Sequence, residues 1–430
     1  MKMWTALGML SLCVWASQLQ AAPLSFRGYL RSSTGSNLKG GQQECFNNPG
    51  SFGNEFRVGN ECGMYGEATF ASDLTDQTKY PEVSSQAYLT FSYNYQNRTD
   101  YELTTQNWVV RQAYVDVGIQ QELPGVFWVG KRYYRWGDVS VLDFYPVQMN
   151  GVGAGYGDLR KGPGLWHFAI IQSSESKEIN GSGTAIATEN QVAAKTTVHL
   201  RLEEVAVAAD DAISFWLTGG TTPATKSTPA PGTDYKAGTG GFLALKNQWT
   251  GVGFKNETAL AYGQGVMTGM GTSGELVKDC SDASQAVCTT QSSDRIRFWD
   301  AALVENDRWS GQFSFVYDAL NKRTSSDSRV RWISLAAEPI YYITDHIHFI
   351  SVIGLSNVLD DSDGLGTRTL SQITLGPQIT VAKGFYSRPV LRALYSARFW
   401  NKANEASFAA TSARGRDDAQ SLVAQVEVWF

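Results

Sequence analysis

The chain has 430 residues, and its 36 Lys and Arg residues against 41 Asp and Glu residues give a formal net charge of -5. This slightly acidic balance provides no basic surface of the kind that binds nucleic acid, so we expect no nucleic-acid partner. Aromatic residues make up 12% of the chain and glycine occupies 42 positions, a composition typical of strand-rich proteins.

The N-terminal segment has the pattern of a secretion signal. Lys2 precedes an apolar run over residues 3–16, and the small residues Ala21 and Ala22 follow it. The run is shorter than the ~20 residues that a membrane-spanning helix needs, which argues against a retained anchor. We therefore expect a signal peptide over residues 1–22 and one exported domain over residues 23–430. No later segment has ~18 consecutive apolar residues, so the sequence predicts no membrane-spanning helix.

Apolar and polar residues then alternate with the period of two that predicts β-strands. In the first such segment Tyr29 and Arg31 lie on the polar face, and in the second Tyr65 and Glu67 do. The clearest alternating segments are 24–33, 64–70, 86–96, 198–203, 312–319 and 424–430. Prolines, glycines and aspartates in the stretches 221–240 and 360–366 predict exposed loops.

Four cysteines follow the predicted signal peptide, which itself contains Cys13. An even number of cysteines in an exported chain predicts disulfides, and residues close in sequence favour the pairs Cys45–Cys62 and Cys280–Cys288. All three connectivities of four cysteines stay open at this point. Neither pair has a C-x-x-C spacing and no histidine lies nearby, so we expect no metal site. The sequence shows no P-loop or nucleotide-binding fingerprint, so we expect no cofactor.

The last strand ends on an aromatic residue. Phe430 shares its face with valines and an alanine, whereas Trp429 lies on the opposite face with Glu427. An amphipathic terminal strand that ends in an aromatic residue is typical of bacterial outer-membrane barrels, in which the last strand pairs with the first. Together with the alternation, this predicts an all-β, transmembrane antiparallel barrel of about sixteen to eighteen strands.

Aromatic residues on the polar face are the unusual feature of these strands. In a barrel with a polar interior that face borders the channel, so Tyr29, Tyr65 and Trp429 would point into it. The C–H-rich faces of a pyranose stack on aromatic rings, and its hydroxyl groups accept and donate hydrogen bonds to Arg and carboxylate groups. The pattern therefore predicts a channel that binds sugars weakly at several successive positions.

Several motifs resemble the maltoporin family. They are Phe26-Arg-Gly-Tyr-Leu-Arg-Ser32, Gly130-Lys-Arg-Tyr-Tyr134, Ser387-Arg-Pro389 and Val426-Glu-Val-Trp-Phe430. The resemblance is specific in the N-terminal third and at the C-terminal end, and it implies an 18-stranded barrel with an inward-folded third loop over about residues 130–155. It further implies a homotrimer in the outer membrane, in contact with outer-membrane lipid, that lets maltose and maltodextrin-type oligosaccharides diffuse passively and is not an enzyme.

The resemblance also assigns roles to residues, including the disulfide Cys45–Cys62. The family's aromatic sugar path would include Tyr101 from a neighbouring subunit, and Tyr145 would narrow the pore. The implied aromatic path is Tyr29, Tyr65, Tyr101, Phe254, Tyr386 and Trp429. The implied polar track and constriction are Arg31, Arg57, Glu67, Arg111, Arg135, Asp138, Asp143 and Tyr145.

Some positions depart from the family pattern. Tyr101 and Tyr386 stand where maltoporins have Trp, and Trp136 replaces an arginine of the third loop, although Arg135 is adjacent. The sugar therefore stays open, because sucrose-type and aryl-β-glucoside-type porins share the scaffold.

Three other classes of protein fit the sequence less well. A general diffusion porin would have few aromatic residues on the channel face. An outer-membrane phospholipase needs a Ser–His pair on its wall, and His346 and His348 share a strand face without such a serine. A plugged receptor needs an additional N-terminal domain, whereas alternation begins almost directly after the predicted signal peptide.

Overall fold

The computed structural model describes residues 24–430 except residues 40, 54, 77, 96–107, 120–122, 177–191, 224–236, 272–292, 322–328, 409–410 and 412. The predicted signal peptide, Tyr101 and the predicted Cys280–Cys288 pair lie outside the described residues.

Nearly all regular structure is β-strand. The strands are β1 Leu24–Asn37, β2 Met64–Asp73, β3 Val83–Tyr95, β4 Trp108–Ile119, β5 Leu123–Arg132, β6 Arg135–Trp136, β7 Val147–Gln148, β8 Gly151–Lys161, β9 Gly164–Ser176, β10 Val192–Ala208, β11 Asp211–Thr222, β12 Gly238–Gly251, β13 Phe254–Gly265, β14 Asp294–Glu305, β15 Trp309–Asn321, β16 Arg329–Tyr342, β17 Ile347–Asp360, β18 Arg368–Thr380, β19 Val390–Trp400 and β20 Asp418–Trp429. In the described part of the chain, a short helix, α1, spans Lys402–Glu405, and 3-10 turns span Ser140–Leu142 and Ala406–Phe408. Among the residues described, no helix has the length and apolar character needed to cross a membrane.

The strands form one closed antiparallel sheet of 18 strands, with β6 and β7 as a separate two-stranded ribbon. Each strand pairs with the next along the ring, β5 pairs with β8 across the ribbon, and β20 returns to β1 with Trp429 opposite Tyr29. Since every strand has a neighbour on both sides, the sheet has no open edge. The predicted all-β antiparallel barrel is therefore confirmed, with the 18 strands that the family resemblance implied.

The two ends of the barrel differ in the length of their connections. At one end the strands are joined by short turns, such as residues 162–163, 209–210 and 252–253. At the other end the connections are longer, and they include a first loop over residues 38–63 and a third loop over residues 133–150. We call these the short-turn end and the long-loop end.

The period-two pattern of the sequence follows the two faces of the wall. On β17, Phe349, Ile353 and Leu355 are exposed on the outer surface, whereas the alternating residues His348 and Ser356 are fully buried inside. Because successive side chains of a strand point to opposite faces, the outer wall becomes an apolar surface.

The third loop lies inside the barrel and packs against one part of its wall. The ring of Trp136 meets that of Trp216 on β11 with centroids 5.4 Å apart, and Phe144 meets Trp332 on β16 at 5.4 Å. The Val141 amide donates to Gln312 Oε1 on β15 at 3.0 Å. These contacts bury apolar surface inside the lumen and leave the channel on the opposite side, near β1, β2 and β20.

The first loop also folds inward. Cys45 and Cys62 form the predicted disulfide, with an S–S distance of 2.08 Å. Phe56 is fully buried against Gly354 of β17, where a Cβ atom would come within 2.2 Å of the Phe56 ring. Only glycine therefore lets this loop approach the wall so closely.

Candidate functional site

A cavity of about 480 Å³ runs along the open side of the lumen. Its wall combines aromatic rings with Arg, Asp and Glu side chains from the barrel and from both inward-folded loops. The residues that line it are Tyr29, Arg31, Arg57, Tyr65, Glu67, Asn94, Arg135, Asp138, Ser140, Asp143, Tyr145, Tyr386 and Trp429.

Four aromatic rings follow one another along this cavity. The centroids of Tyr65 and Tyr29 are 6.1 Å apart, those of Tyr29 and Trp429 are 5.8 Å apart, and those of Trp429 and Tyr386 are 6.4 Å apart. Tyr65 is the second residue of β2 and lies near the long-loop end of the barrel. Tyr386 lies in the turn between β18 and β19, at the short-turn end. The row of rings therefore follows the channel from near the long-loop end of the barrel towards the short-turn end.

Strand register explains why three of these rings meet. Tyr29 on β1 lies directly opposite Trp429 on β20, and Arg31 lies opposite Tyr65 on β2. All four residues have the parity of the inner face, so neighbouring strands place their side chains within contact distance.

Glu427 is the centre of the charged network behind the aromatic row. Its carboxylate accepts hydrogen bonds from Arg57 Nη2 at 2.5 Å, Arg392 Nη1 at 3.0 Å and the Tyr29 hydroxyl at 3.0 Å, and Arg388 Nη2 lies 2.7 Å away. The side chain of Glu427 is 1% exposed. Its negative charge can be buried because the three arginines and the Tyr29 hydroxyl replace the lost contacts with water.

The same network holds the aromatic rings in place. The Arg388 guanidinium lies 4.7 Å from the centroid of the Trp429 ring, and Arg57 Nη2 donates to the Tyr29 hydroxyl at 2.8 Å. The sequence pattern placed Glu427 on the channel face of the last strand, but it did not assign Arg388 or Arg392 to the site. The available signals were the position of Glu427 on the Trp429 face and the Ser387-Arg-Pro389 motif.

Arg31 connects the barrel wall to both inward-folded loops. Its Nη1 atom lies 2.6 Å from Glu61 Oε1 in the first loop and 2.8 Å from Asp143 Oδ2 in the third loop. The guanidinium also lies 5.2 Å from the centroid of the Tyr65 ring. The polar side of the cavity is therefore fixed relative to its aromatic side.

The third loop contributes the opposing wall. The Arg135 guanidinium lies between two rings of this loop, 4.4 Å from the Tyr133 centroid and 3.8 Å from the Tyr145 centroid. Burial raises the pKa of Asp138 above its ordinary value, and the guanidinium groups of Arg57 and Arg135 oppose this effect. On the barrel wall, Glu67 accepts hydrogen bonds from the hydroxyl groups of Tyr65 and Tyr133.

Two predicted site residues lie elsewhere. Arg111 on β4 points inward but donates from Nε to Ser92 Oγ at 2.7 Å and does not line the cavity. Phe254 has the outward parity of Leu260 and Tyr262, and its ring packs on Trp249 with centroids 4.8 Å apart. The placement of Phe254 on the aromatic path is therefore corrected, because the first residue of β13 faces away from the lumen.

The arrangement suits a neutral, hydroxyl-rich ligand. Flat rings offer stacking surfaces at nearly equal spacing, and the adjacent Arg and carboxylate groups offer charge-assisted hydrogen bonds. Because these polar groups already pair with one another, a ligand exchanges hydrogen bonds with them and does not have to satisfy isolated charges.

The chain is similar to one protein family and, at low sequence identity, to several solved structures. The family model of the LamB porin matches residues 24–430. Among solved structures, OmpT of Vibrio cholerae aligns with a TM-score of 0.43 and 10% identity over 95% of this chain and 97% of that chain. OmpF of Salmonella typhi, in complex with daunomycin, aligns with a TM-score of 0.46 and 8% identity over 95% and 98% of the two chains. OccAB2 of Acinetobacter baumannii aligns with a TM-score of 0.47 and 8% identity over 95% and 98%.

The family match covers the whole described barrel, and the closed 18-stranded sheet encloses a channel. The chain therefore belongs to the LamB porin family and is an outer-membrane porin.

Proposed function

We propose that this porin is specific for sugars and lets linear maltodextrin-type oligosaccharides diffuse passively through the lumen. The observation that carries the proposal is the row of Tyr65, Tyr29, Trp429 and Tyr386, whose neighbouring centroids lie 5.8 to 6.4 Å apart. Successive sugar units can stack on successive rings, and a chain can advance by exchanging one ring for the next.

The polar side of the cavity supports the same proposal. Arg31, Arg135, Asp138 and Glu67 face the lumen beside the rings. They can exchange hydrogen bonds with the hydroxyl groups of a stacked sugar, while its apolar face remains on the rings. Each contact is weak enough for the sugar to leave again, which transport by diffusion requires.

We also propose a homotrimer, as the family resemblance implies. The outward faces of β1 and β2 combine the small or polar residues Gly28, Ser32, Thr34, Gly66 and Ala68 with the apolar residues Leu24, Phe26, Leu30 and Phe70. Leu243, Leu245 and Leu260 occupy the outward face of β12 and β13 on the opposite wall, as lipid contact requires. The glycines and hydroxyl groups of this outer face suit contact with another subunit better than contact with lipid.

The proposal is tested by ion conductance in planar lipid bilayers. Maltose and longer linear α-glucans should reduce the current saturably, with stronger block for longer chains up to the number of rings. Stronger block by sucrose or an aryl-β-glucoside would assign the porin to another sugar. If no oligosaccharide in the panel reduces the current, the channel is a general diffusion porin.

A further inference from the structure

A second group of aromatic and charged side chains lies on the inner wall, outside the cavity described above. Tyr88 on β3 and Tyr114 on β4 face each other across the two strands, with centroids 4.6 Å apart and ring planes 12° apart. Both have the inward parity of their strands, since Thr90 and Ser92 on the same face of β3 are buried.

The group lies in the half of the barrel nearer the short-turn end, which is the periplasmic end of an outer-membrane barrel. The short-turn end of β3 is its start at Val83, and the short-turn end of β4 is its last residue, Ile119. Tyr88 and Tyr114 each lie five residues from that end. Gly130 of β5, just before the third loop, is the register partner of Tyr114. The tyrosine pair therefore lies on the periplasmic side of the third loop.

The two rings differ in how much of their surface is covered. Tyr114 is covered on one face by Tyr88, and the Arg132 guanidinium lies 4.9 Å from its centroid. Arg132 also lies 4.9 Å from the Trp128 ring, which anchors it to the wall. Tyr114 therefore holds the Tyr88 ring in place by stacking on one of its faces. The other face of Tyr88 has no ring or guanidinium partner among the described residues.

Polar groups border Tyr88. Its hydroxyl donates to Gln86 Oε1, and the Gln86 amide donates to Asp73 Oδ1 at 2.6 Å. Arg27 is exposed on the inward face of β1, two strands from Tyr88, and Asp116 on β4 is the register partner of Gln86. An aromatic face with a cation, a carboxylate and an amide at its rim repeats the chemistry of the main aromatic row.

We propose that Tyr88 is a second sugar-stacking platform, supported by Tyr114 and Arg132, that receives oligosaccharides at the periplasmic mouth of the channel. This inference rests on the proposed sugar specificity. A stacking surface outside the main site gives a transient binding position to a sugar that enters or leaves through the periplasmic end. It changes the rates through that end, but it does not change the affinity of the main site.

The test uses channels inserted in one orientation and current-noise analysis with maltohexaose added to either side. Tyr88→Ala should lower the association and dissociation rates through the periplasmic end about threefold. The association rate from the extracellular side, and the equilibrium constant of block with sugar on both sides, should stay within error. Phe91→Ala is the matched control, because Phe91 lies on the outward face of the same strand and should change none of these rates.

Two results would overturn the proposal. If Tyr88→Ala keeps the wild-type rates through the periplasmic end, Tyr88 is not a stacking platform at that mouth. The same conclusion follows if sugar association slows equally from both sides. An absence of sugar block in the wild-type channel would instead overturn the proposed function, and this inference with it.

Discussion

At the scale of single residues, adjacent positions on one strand have opposite surroundings. Trp429 is 41% exposed and lines the cavity beside Tyr29 and Tyr386, whereas Phe430 faces outward against Phe26. Because the side chains of a strand alternate, a single step at the end of β20 separates a ring that faces the lumen from a ring that faces outward.

Trp429→Ala should weaken sugar block several-fold and leave the barrel folded. The loss of one stacking surface corresponds to about 1 kcal/mol. Arg388 loses its aromatic partner but keeps its 2.7 Å contact with Glu427, so the charged network survives. Sugar titration of the current and heat resistance on gels, measured on the same protein, check both parts.

Phe254→Ala is the control for that substitution, since this ring packs on Trp249 outside the lumen. It should leave sugar block unchanged. If Phe254→Ala weakens block as much as Trp429→Ala does, the outward placement of Phe254 is wrong.

At the scale of elements, the first loop depends on a buried carboxyl group. Glu55 is fully buried and forms no ion pair with the described residues. Its carboxyl group accepts hydrogen bonds from the backbone N–H of Asn48 at 2.8 Å and from Trp332 Nε1 at 3.1 Å. Burial raises the pKa of Glu55 from 4.5 to about 7.

This shift makes the packing of the first loop depend on pH. Between pH 4.5 and about 7 the folded chain binds a proton that the unfolded chain has released, so stability falls as pH rises through this window. The loss reaches at most about 3 kcal/mol above pH 7. Glu55→Gln keeps an acceptor for the same donors and should remove this dependence.

The measurement is the temperature at which the heat-resistant form disappears, recorded from pH 5 to pH 8. We expect the wild-type temperature to fall across this range, and the Glu55→Gln temperature to stay more nearly constant and to exceed the wild-type value at pH 8. Parallel profiles for the two proteins would contradict a buried, protonated Glu55.

At the scale of the whole molecule, the seam between β20 and β1 closes the barrel. Gly28 and Phe430 exchange main-chain hydrogen bonds of 2.6 and 3.0 Å, and the Phe430 ring lies 5.2 Å from that of Phe26. A Cβ atom at Gly28 would come within 2.4 Å of the Phe430 ring, so the glycine makes room for this ring.

Phe430→Ala should lower the heat resistance of the barrel by several degrees, because it removes apolar contacts at the seam. Sugar block by the surviving channels should not change, since the ring lies outside the lumen. This outcome is the reverse of that expected for Trp429→Ala. A loss of sugar affinity with unchanged heat resistance would mean that the two faces of β20 are exchanged.

The sequence by itself determined the faces of the strands. The period of two put Tyr29, Tyr65 and Trp429 on the polar parity, and the structure places all three along the lumenal cavity. It also indicated the pair Cys45–Cys62, which lies within one loop. These features depend on local spacing, and local spacing can be read directly from a sequence.

Only the tertiary structure decided which inward-facing residues border the open channel. Trp216, Trp299 and Trp332 face inward like Trp429, yet they are fully buried, because the third loop packs over that part of the wall. The outward direction of Phe254 likewise depends on where β13 begins, which the weak resemblance of the middle region did not indicate. In the Glu427 network, Arg388 and Arg392 belong to the turn before β19 and to β19 itself, the strand next to β20, whereas Arg57 lies 370 residues from Glu427 in the first loop, so only barrel closure brings Arg57 to the other two arginines.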